Sequence, residues 1–317
     1  MSDTAAGSPE ETPVNATGNT SPARMSLVAG VIRTARPRQW VKNVLVLSAP
    51  FAAYAADADF RLSVLVDAGV AFVAFCLVAS AVYLVNDAID VEADRAHPTK
   101  RNRPIAAGVV PVRLAYGLSI ALFLASFAVS LVSSWRLLVV IGVYAAVQLG
   151  YCLGLKHQPV IDLCIVASGF LLRAIAGGAA AELPLSQWFL LVTAFGSLFM
   201  VAGKRYAEIV LYERTGAQIR ASLSKYSASY LRFVWATSAA IMIMTYALWA
   251  FEIRQRTGTN SVWAAISIVP FVVAVLRYAV DVDTGNAGEP EDIALHDRVL
   301  QVLGVSWVAC VVLSAFG

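Results

Sequence analysis

Charged side chains account for only 14% of this 317-residue chain, against roughly 25% in an ordinary soluble domain. Hydrophobic residues account for 59%. A soluble fold would have to hide that excess, because exposed apolar patches above a few hundred Å² are uncommon. A soluble enzyme and a disordered chain are therefore excluded. Cysteine is scarce as well: Cys76, Cys152, Cys164 and Cys310 form no CxxC pair and all lie in apolar runs. They read as small packing residues rather than metal or redox centres, and a disulfide scaffold is excluded with them. The three histidines, His97, His157 and His296, are too scattered for a zinc site.

Long apolar runs take the place of charge. They fall near residues 41–56, 62–86, 112–132, 136–154, 159–180, 187–203, 230–251, 261–280 and 299–316. A membrane-crossing helix needs about 20 apolar residues, so nine crossings would use roughly 180. The runs lack the alternation of barrel strands, and a backbone in lipid must satisfy its own hydrogen bonds. The expected fold is all-α, a polytopic membrane protein with about nine transmembrane helices around a central cavity. Pro50 is placed to kink the short first run. Residues 1–24, rich in Ser, Thr, Pro, Gly and Ala, read as a disordered tail, and residues 25–317 as one transmembrane domain. The tail lacks the basic start and apolar core of a signal peptide, so the first span is expected to be the anchor. A sequon at Asn15-Ala16-Thr17 reads as a chance match on a cytoplasmic tail.

Cations set the expected orientation, since Lys and Arg favour the inner side. With the N-terminus inside, 19 of the 24 Lys and Arg residues fall on the cytoplasmic face and Arg61, Arg136, Arg254 and Arg256 on the other, leaving Arg173 within a helix. Two inner loops, 87–111 and 204–229, are longer and more polar than the rest. Both follow even-numbered spans, so they share one face and can meet over a cavity. Loops of that length between packed spans are usually functional.

The second span ends Tyr83-Leu84-Val85-Asn86-Asp87-Ala88-Ile89-Asp90-Val91-Glu92-Ala93-Asp94. Asn86, Asp90 and Asp94 recur every four residues and stack on one helical face, with Asp87 and Glu92 off that line. Three oxygen-bearing side chains at a membrane helix end are costly without a cation between them. Carboxylates with an amide carbonyl suit Mg²⁺, which is normally shared with a substrate phosphate. The plainer reading is a solvated acidic helix end. It weakens because Lys100, Arg101 and Arg103 follow directly, in His97-Pro98-Thr99-Lys100-Arg101-Asn102-Arg103-Pro104-Ile105-Ala106-Ala107-Gly108. Metal on some oxygens and Lys or Arg on the others is what a diphosphate needs.

Asn86, Asp90 and Asp94 with Lys100, Arg101, Arg103, Pro104 and Gly108 resemble the first motif of the UbiA superfamily of intramembrane prenyltransferases. The segment Arg36-Pro37-Arg38-Gln39-Trp40-Val41-Lys42-Asn43 is similar to that family's opening segment, and Tyr151 with Lys156 to its fourth-helix end. The resemblance covers everything after the tail. It implies a UbiA-like transmembrane catalytic domain at 25–317 with cytoplasmic active-site loops, a cell (inner) membrane location, and Mg²⁺ on Asn86, Asp90 and Asp94 as catalytic ligands.

One departure is informative. Most of the family carries a second acidic motif after the sixth helix. Here that stretch reads Gly203-Lys204-Arg205-Tyr206-Ala207-Glu208, with a Lys-Arg pair where aspartates are expected. The local sign is reversed, which disfavours a second metal and favours a directly bound anion. The branch this implies transfers the 5-phosphoribosyl group of phosphoribosyl diphosphate to polyprenyl (decaprenyl) phosphate, a Mg²⁺-dependent pentosyl transfer feeding arabinan cell-wall precursors. Gly154-Leu155-Lys156-His157-Gln158 and the stretch from Ala167 through Arg173 to Gly178 resemble that branch. Phosphate-binding roles are then expected of Lys42, Asp87, Lys100, Arg101, Arg103, Lys156, Arg173, Lys204, Arg205, Tyr206 and Glu208.

Arg173 also stands out without the resemblance, because a charge deep in an apolar helix is functional by default. Asp162 lies about three turns earlier on the same face, near 16 Å away along the axis, too far for direct contact. Arg173 is expected to face the cavity and hold a phosphate. Gly177-Gly178 is expected to allow close helix packing. Three rivals are weighed. A prenyltransferase joining a prenyl diphosphate to an aromatic acceptor predicts acids at 204–205. A secondary transporter predicts repeats and midplane charges, and an assembly scaffold has no use for the acidic ladder. The expected partners are the two substrates and the membrane, with no nucleic acid; a homo-oligomer is compatible with the sequence.

Overall fold

The computed structural model describes residues 25–57, 61–216, 223–257, 262–287, 293 and 295–316. The tail at 1–24, and Arg220 of the second polar loop, lie outside the described residues. The apolar runs form helices, as a backbone without water must. In chain order these are α1 (Leu27–Ala35), a 3₁₀ segment (Pro37–Leu47), α2 (Ser48–Asp57), α3 (Leu62–Ile89), α4 (Val91–Ala96), α5 (Val112–Ser133), α6 (Trp135–Cys152), α7 (Ile161–Ala180), α8 (Gln187–Thr215), α9 (Ala228–Thr257), α10 (Trp263–Ile266), α11 (Ile268–Asp283) and α12 (Arg298–Phe316). Among the described residues eight helical stretches are long and apolar enough to cross a membrane, with α10 and α11 together making one of them.

The first run departs from expectation. Instead of one helix over 41–56, the 3₁₀ segment of 11 residues runs into the 10-residue α2. At about 2.0 and 1.5 Å of rise per residue the two together cover about 37 Å, comparable with the roughly 30 Å hydrocarbon core. The second polar loop is also shorter than the sequence suggested, because α8 continues to Thr215. Charge at Lys204, Arg205 and Glu208 ends the apolar run but not the hydrogen-bonded helix, which projects beyond it.

Helix α3 is the hub. It buries Ala68, Ala71, Ala74, Phe75, Val78, Ala81 and Leu84, and packs against α5, α6 and α7. Small residues let the backbones approach, so Ser126 of α5 reaches the Ala74 carbonyl at 2.8 Å and Ser119 the Ala81 carbonyl at 3.2 Å. The outer faces are the inverse of a soluble protein: Ile120, Leu124 and Val305 are more than 60% exposed, which suits lipid.

Gly177 of α7 meets the backbone of the 3₁₀ segment. A Cβ there would sit 1.9 Å from the Val46 carbonyl oxygen, while one at Gly178 would meet only the Leu185 side chain. Close packing is therefore what this glycine pair provides.

Contacts between distant segments collect at one end of the bundle. Arg36 meets Asp87, Lys156 meets Asp90, Lys225 reaches the His157 carbonyl, Tyr226 receives the Val160 N–H, and Arg214 reaches the Thr284 carbonyl. The opposite end is tied by Ser133 and Ser134 to the Ala180 and Ala179 carbonyls, by Arg136 to Glu182 and by Ser186 to Glu252.

Candidate active site at the basic end

The last turn of α3 and the short α4 carry the acidic ladder. Asp87 and Asp94 are buried, and Asn86 and Asp90 are half-buried. Buried carboxylates require partners, and each here has one. Arg36 Nη2 lies 2.7 Å from Asp87 Oδ1. Arg103 Nη1 spans two acids, 3.2 Å from Asp87 Oδ1 and 2.7 Å from Asp94 Oδ2. Lys156 Nζ sits 2.5 and 2.8 Å from the two oxygens of Asp90. Glu92, off the ladder as expected, pairs with Arg95 at the surface. Asp87, also expected off that line, instead joins Asp94 through Arg103, because α3 ends at Ile89 and the chain restarts as α4 at Val91.

Local backbone explains how these cations arrive. Arg36 holds a left-handed conformation, φ 53° and ψ 56°, between α1 and the 3₁₀ segment, because Pro37 bars it from continuing α1. That turn lays its guanidinium over the Tyr83 ring at 4.7 Å as well as against Asp87. Gly154, at φ 137°, reverses the chain after α6 and starts the one-turn 3₁₀ helix Leu155–His157 that presents Lys156; a side chain at that φ would be strained. Lys100 and Arg101 lie on the 3₁₀ turn Lys100–Asn102, half-buried and exposed, just before Arg103.

A second cluster flanks the first. Arg205 of α8 is 5% exposed, lying 3.6 Å from Asp162 and 3.7 Å from Glu208. Tyr226 donates its hydroxyl to Asp162 Oδ1 and accepts the Val160 N–H at 2.6 Å. Val160, a β-branched residue, is held at φ 69°, a strained conformation that persists only where its surroundings enforce it. Burial, then the Asp162 hydrogen bond, push the Tyr226 phenol above the ordinary tyrosine range. Arg232 donates to the Tyr206 hydroxyl at 2.5 Å and pairs with Asp283 at 3.0 Å. Lys204 is half-buried one position before Arg205.

Arg173 is sealed inside the bundle at 6% exposure. Its guanidinium donates to Asn43 Oδ1 at 2.8 Å, to the Gly169 carbonyl at 2.6 Å and to the Tyr144 hydroxyl at 3.3 Å. Phe75, Tyr144 and Phe170 place their rings within 6 Å of its charge. Asp162 takes no part, as the axial separation required. Lys42, on the 3₁₀ segment, is half-buried.

The structure thus brings Asp87, Asp90, Asp94, Arg103 and Lys156 into one cluster and Arg205 and Glu208 into a neighbouring one. It places Arg173 apart, deeper in the bundle. Sequence reasoning missed Arg36 as the Asp87 partner, Tyr226 and Asp162 as the support of Arg205, and Asn43 as the support of Arg173. Arg36 carried a signal in the Arg-Pro turn; the others depend on helix packing and carried none.

The ladder suits a divalent ion in its donor chemistry: hard carboxylate and amide oxygens, with an ammonium bound across both oxygens of Asp90. Among the described residues no three His, Cys, Asp or Glu side chains already converge as a metal site; the expected set contains two carboxylates and an amide.

The UbiA prenyltransferase family matches residues 44–296. The decaprenyl-phosphate phosphoribosyltransferase of Corynebacterium glutamicum is 58% identical over 293 residues, covering 92% of this chain and 88% of its own. The protein of the same name from Mycobacterium tuberculosis H37Rv is 60% identical over 287 residues, covering 90% and 94%. A UbiA homolog from Archaeoglobus fulgidus, solved with GPP and Mg²⁺, superimposes with a TM-score of 0.65 at 16% identity, over 90% of this chain and 98% of that one. At that identity the likeness shows the fold.

Proposed function

Because this chain belongs to the UbiA prenyltransferase family, we propose that its acidic ladder and surrounding cations transfer the 5-phosphoribosyl group of phosphoribosyl diphosphate to polyprenyl phosphate, decaprenyl phosphate in the first instance, releasing diphosphate. The observation that carries this reading is the interlocked cluster of Asp87, Asp90 and Asp94 with Arg36, Arg103 and Lys156. The 58–60% identity to relatives that bear the corresponding name supports the substrate pair.

Asn86, Asp90 and Asp94 would hold Mg²⁺, which when bound supplies charge neutralisation to the departing diphosphate. Lys100, Arg101 and Arg103 bind the remaining diphosphate oxygens, with Arg103 fixed by the acids it already spans. Departure leaves oxocarbenium character on the anomeric carbon. The lipid phosphate oxygen attacks from the opposite face, with inversion. That oxygen is already ionised at neutral pH, so no general base is required. Lys204 faces the 5-phosphate or the lipid phosphate. Arg205, with its charge already matched inside the bundle, and Arg173, bound to neutral acceptors, serve as positioning residues for α8 and the 3₁₀ segment. The ladder and its basic surroundings lie on the cytoplasmic side of the cell membrane, as the Lys and Arg bias requires.

Prenyl transfer to an aromatic acceptor is disfavoured by the cations at 204 and 205. One assay tests the reading: radiolabelled phosphoribosyl diphosphate with polyprenyl phosphate and the purified protein. Label should pass into the lipid extract only with a divalent cation, and Asp90→Asn or Asp94→Asn should abolish it. Normal turnover of either variant at saturating Mg²⁺ removes the metal assignment.

A further inference from the structure

The three acids of the cluster, Asp87, Asp90 and Asp94, are not held alike. Asp87 and Asp94 are 2% and 4% exposed at the side chain and held by guanidinium groups, whereas Asp90 is 26% exposed and held by an ammonium. Lys156 Nζ uses both Asp90 oxygens, at 2.5 and 2.8 Å, the face of the carboxylate that a divalent cation would also use. Formal charges balance: three carboxylates against Arg36, Arg103 and Lys156. A metal ion arriving alone meets a neutral cluster with an ammonium lying on the ligand it needs, and like charges a few ångströms apart repel.

We propose that Lys156 excludes divalent metal from Asp90 until diphosphate is present, so that metal and diphosphate bind as a coupled pair. The inference rests on the reading of the ladder as a metal–diphosphate site. The exchange needs no backbone movement. Lys156 carries its charge on a flexible four-carbon stem, and Gly154 and the turn Leu155–His157 fix where that stem begins. An incoming diphosphate offers the ammonium a new anion and balances the charge the metal adds. Lys156 leaves Asp90 for a diphosphate oxygen, and Asp90 is freed as a ligand. The pairs Arg36–Asp87 and Arg103–Asp94, with buried carboxylates and half-buried guanidinium groups, keep the frame in place during the exchange. Arg103 engages Asp94 through Oδ2, unlike the two-oxygen grip of Lys156 on Asp90. Coupling of this kind is reciprocal: whatever factor diphosphate adds to metal affinity, metal adds to diphosphate affinity.

The test is Mn²⁺ binding followed by electron paramagnetic resonance on the full-length protein in detergent, with and without inorganic diphosphate, against a protein-free diphosphate blank. Wild-type protein should bind Mn²⁺ weakly alone and about tenfold or more tightly with diphosphate. Lys156→Gln should bind Mn²⁺ alone about tenfold more tightly than wild type and lose most of the gain from diphosphate, while Lys156→Arg, which keeps the charge, should resemble wild type. Lys156→Met replaces the Gln variant should that one fail to purify. Equal Mn²⁺ affinity of wild type and the uncharged variant without diphosphate overturns the proposal and leaves the metal site standing. Mn²⁺ binding that is absent with diphosphate, or indifferent to Asp90→Asn, overturns the metal reading and the proposal with it.

Discussion

Tyr226, just ahead of α9, donates its hydroxyl to Asp162 in the first turn of α7, 64 positions away in sequence. The same hydroxyl accepts the N–H of strained Val160, so one side chain holds both the start of α7 and the carboxylate facing Arg205. Asp162 Oδ2 is buried with no hydrogen bond, and Tyr226 therefore supplies the hydrogen bond this carboxylate does have.

Tyr226→Phe should leave Asp162 and the Val160 N–H without that partner, at a cost of about 1–3 kcal/mol for each buried polar group left unmet. Thermal unfolding in detergent reads the loss. The pH dependence has a definite sign. The folded-state phenol is raised, first by burial and then by its bond to Asp162, so the protonated form is the stabilised one. The contribution is complete below the ordinary tyrosine value of about 10 and is lost as pH rises through the higher folded value. The stability gap between wild type and Tyr226→Phe should therefore be flat from about pH 6 to 9; a gap that closes within that window contradicts the assignment.

Lys204 and Arg205 should separate by phenotype although they are adjacent. Arg205→Ala leaves Asp162 buried without its cation, and breaking such a pair costs about 3–5 kcal/mol, here nearer the lower figure because the separations are 3.6 and 3.7 Å. Lys204→Ala should leave the unfolding temperature within a degree or two of wild type and raise KM for one phosphate substrate several-fold. Equal behaviour of the two variants in both assays would remove the distinction between a buried positioning cation and a substrate-facing one.

Arg103→Lys tests geometry at constant charge. A single guanidinium nitrogen, Nη1, reaches Asp87 and Asp94 together, and a lysine ammonium on its flexible stem gives up the rigid guanidinium plane that aims that nitrogen. Turnover per KM should fall about tenfold or more, equivalent to roughly 1.4 kcal/mol. Retained activity would mean that charge alone suffices at this position.

Gly177→Ala and Gly178→Ala should differ sharply. The first places a methyl 1.9 Å from a backbone oxygen and the second places one against a movable leucine. Overpacking costs about 1–3 kcal/mol where neighbours can adjust, and backbone cannot adjust as a side chain can. Gly177→Ala should lower expression of folded protein or its unfolding temperature well beyond Gly178→Ala.

Much of this was legible beforehand because the physics is local. Apolar runs in lipid can only be helices, so α3 and α5 through α9 could be placed from sequence. The four-residue spacing of Asn86, Asp90 and Asp94 did not foretell that α3 ends at Ile89 and that Arg103 joins Asp94 to Asp87. Lys156 could be nominated only through resemblance; that it closes on Asp90 depends on how α6 packs against α3. Arg205 was legible as a cation but not as a buried one, since Asp162 comes to it from α7 and is itself held by Tyr226 from another segment of the chain. The helical stretch from Lys204 to Thr215 was hidden because hydropathy reports where lipid ends, not where backbone hydrogen bonds do. Arg173 was correctly singled out as unusual, yet its neutral partners Asn43 and Tyr144 carry no charge pattern that a sequence would reveal.

The 3₁₀ segment has one more consequence. Trp40, Asn43 and Val46 are spaced by three, the repeat of that helix. They meet Ser80, Arg173 and Gly177 in turn. On an α-helix each step of three would rotate the contact by about 60°, and the three could not share one seam. The stretch is therefore a ruler: its pitch sets at what depth Arg36 and Asn43 stand, so the length of this segment, counted in residues, calibrates the distance between the membrane interior and the acidic ladder.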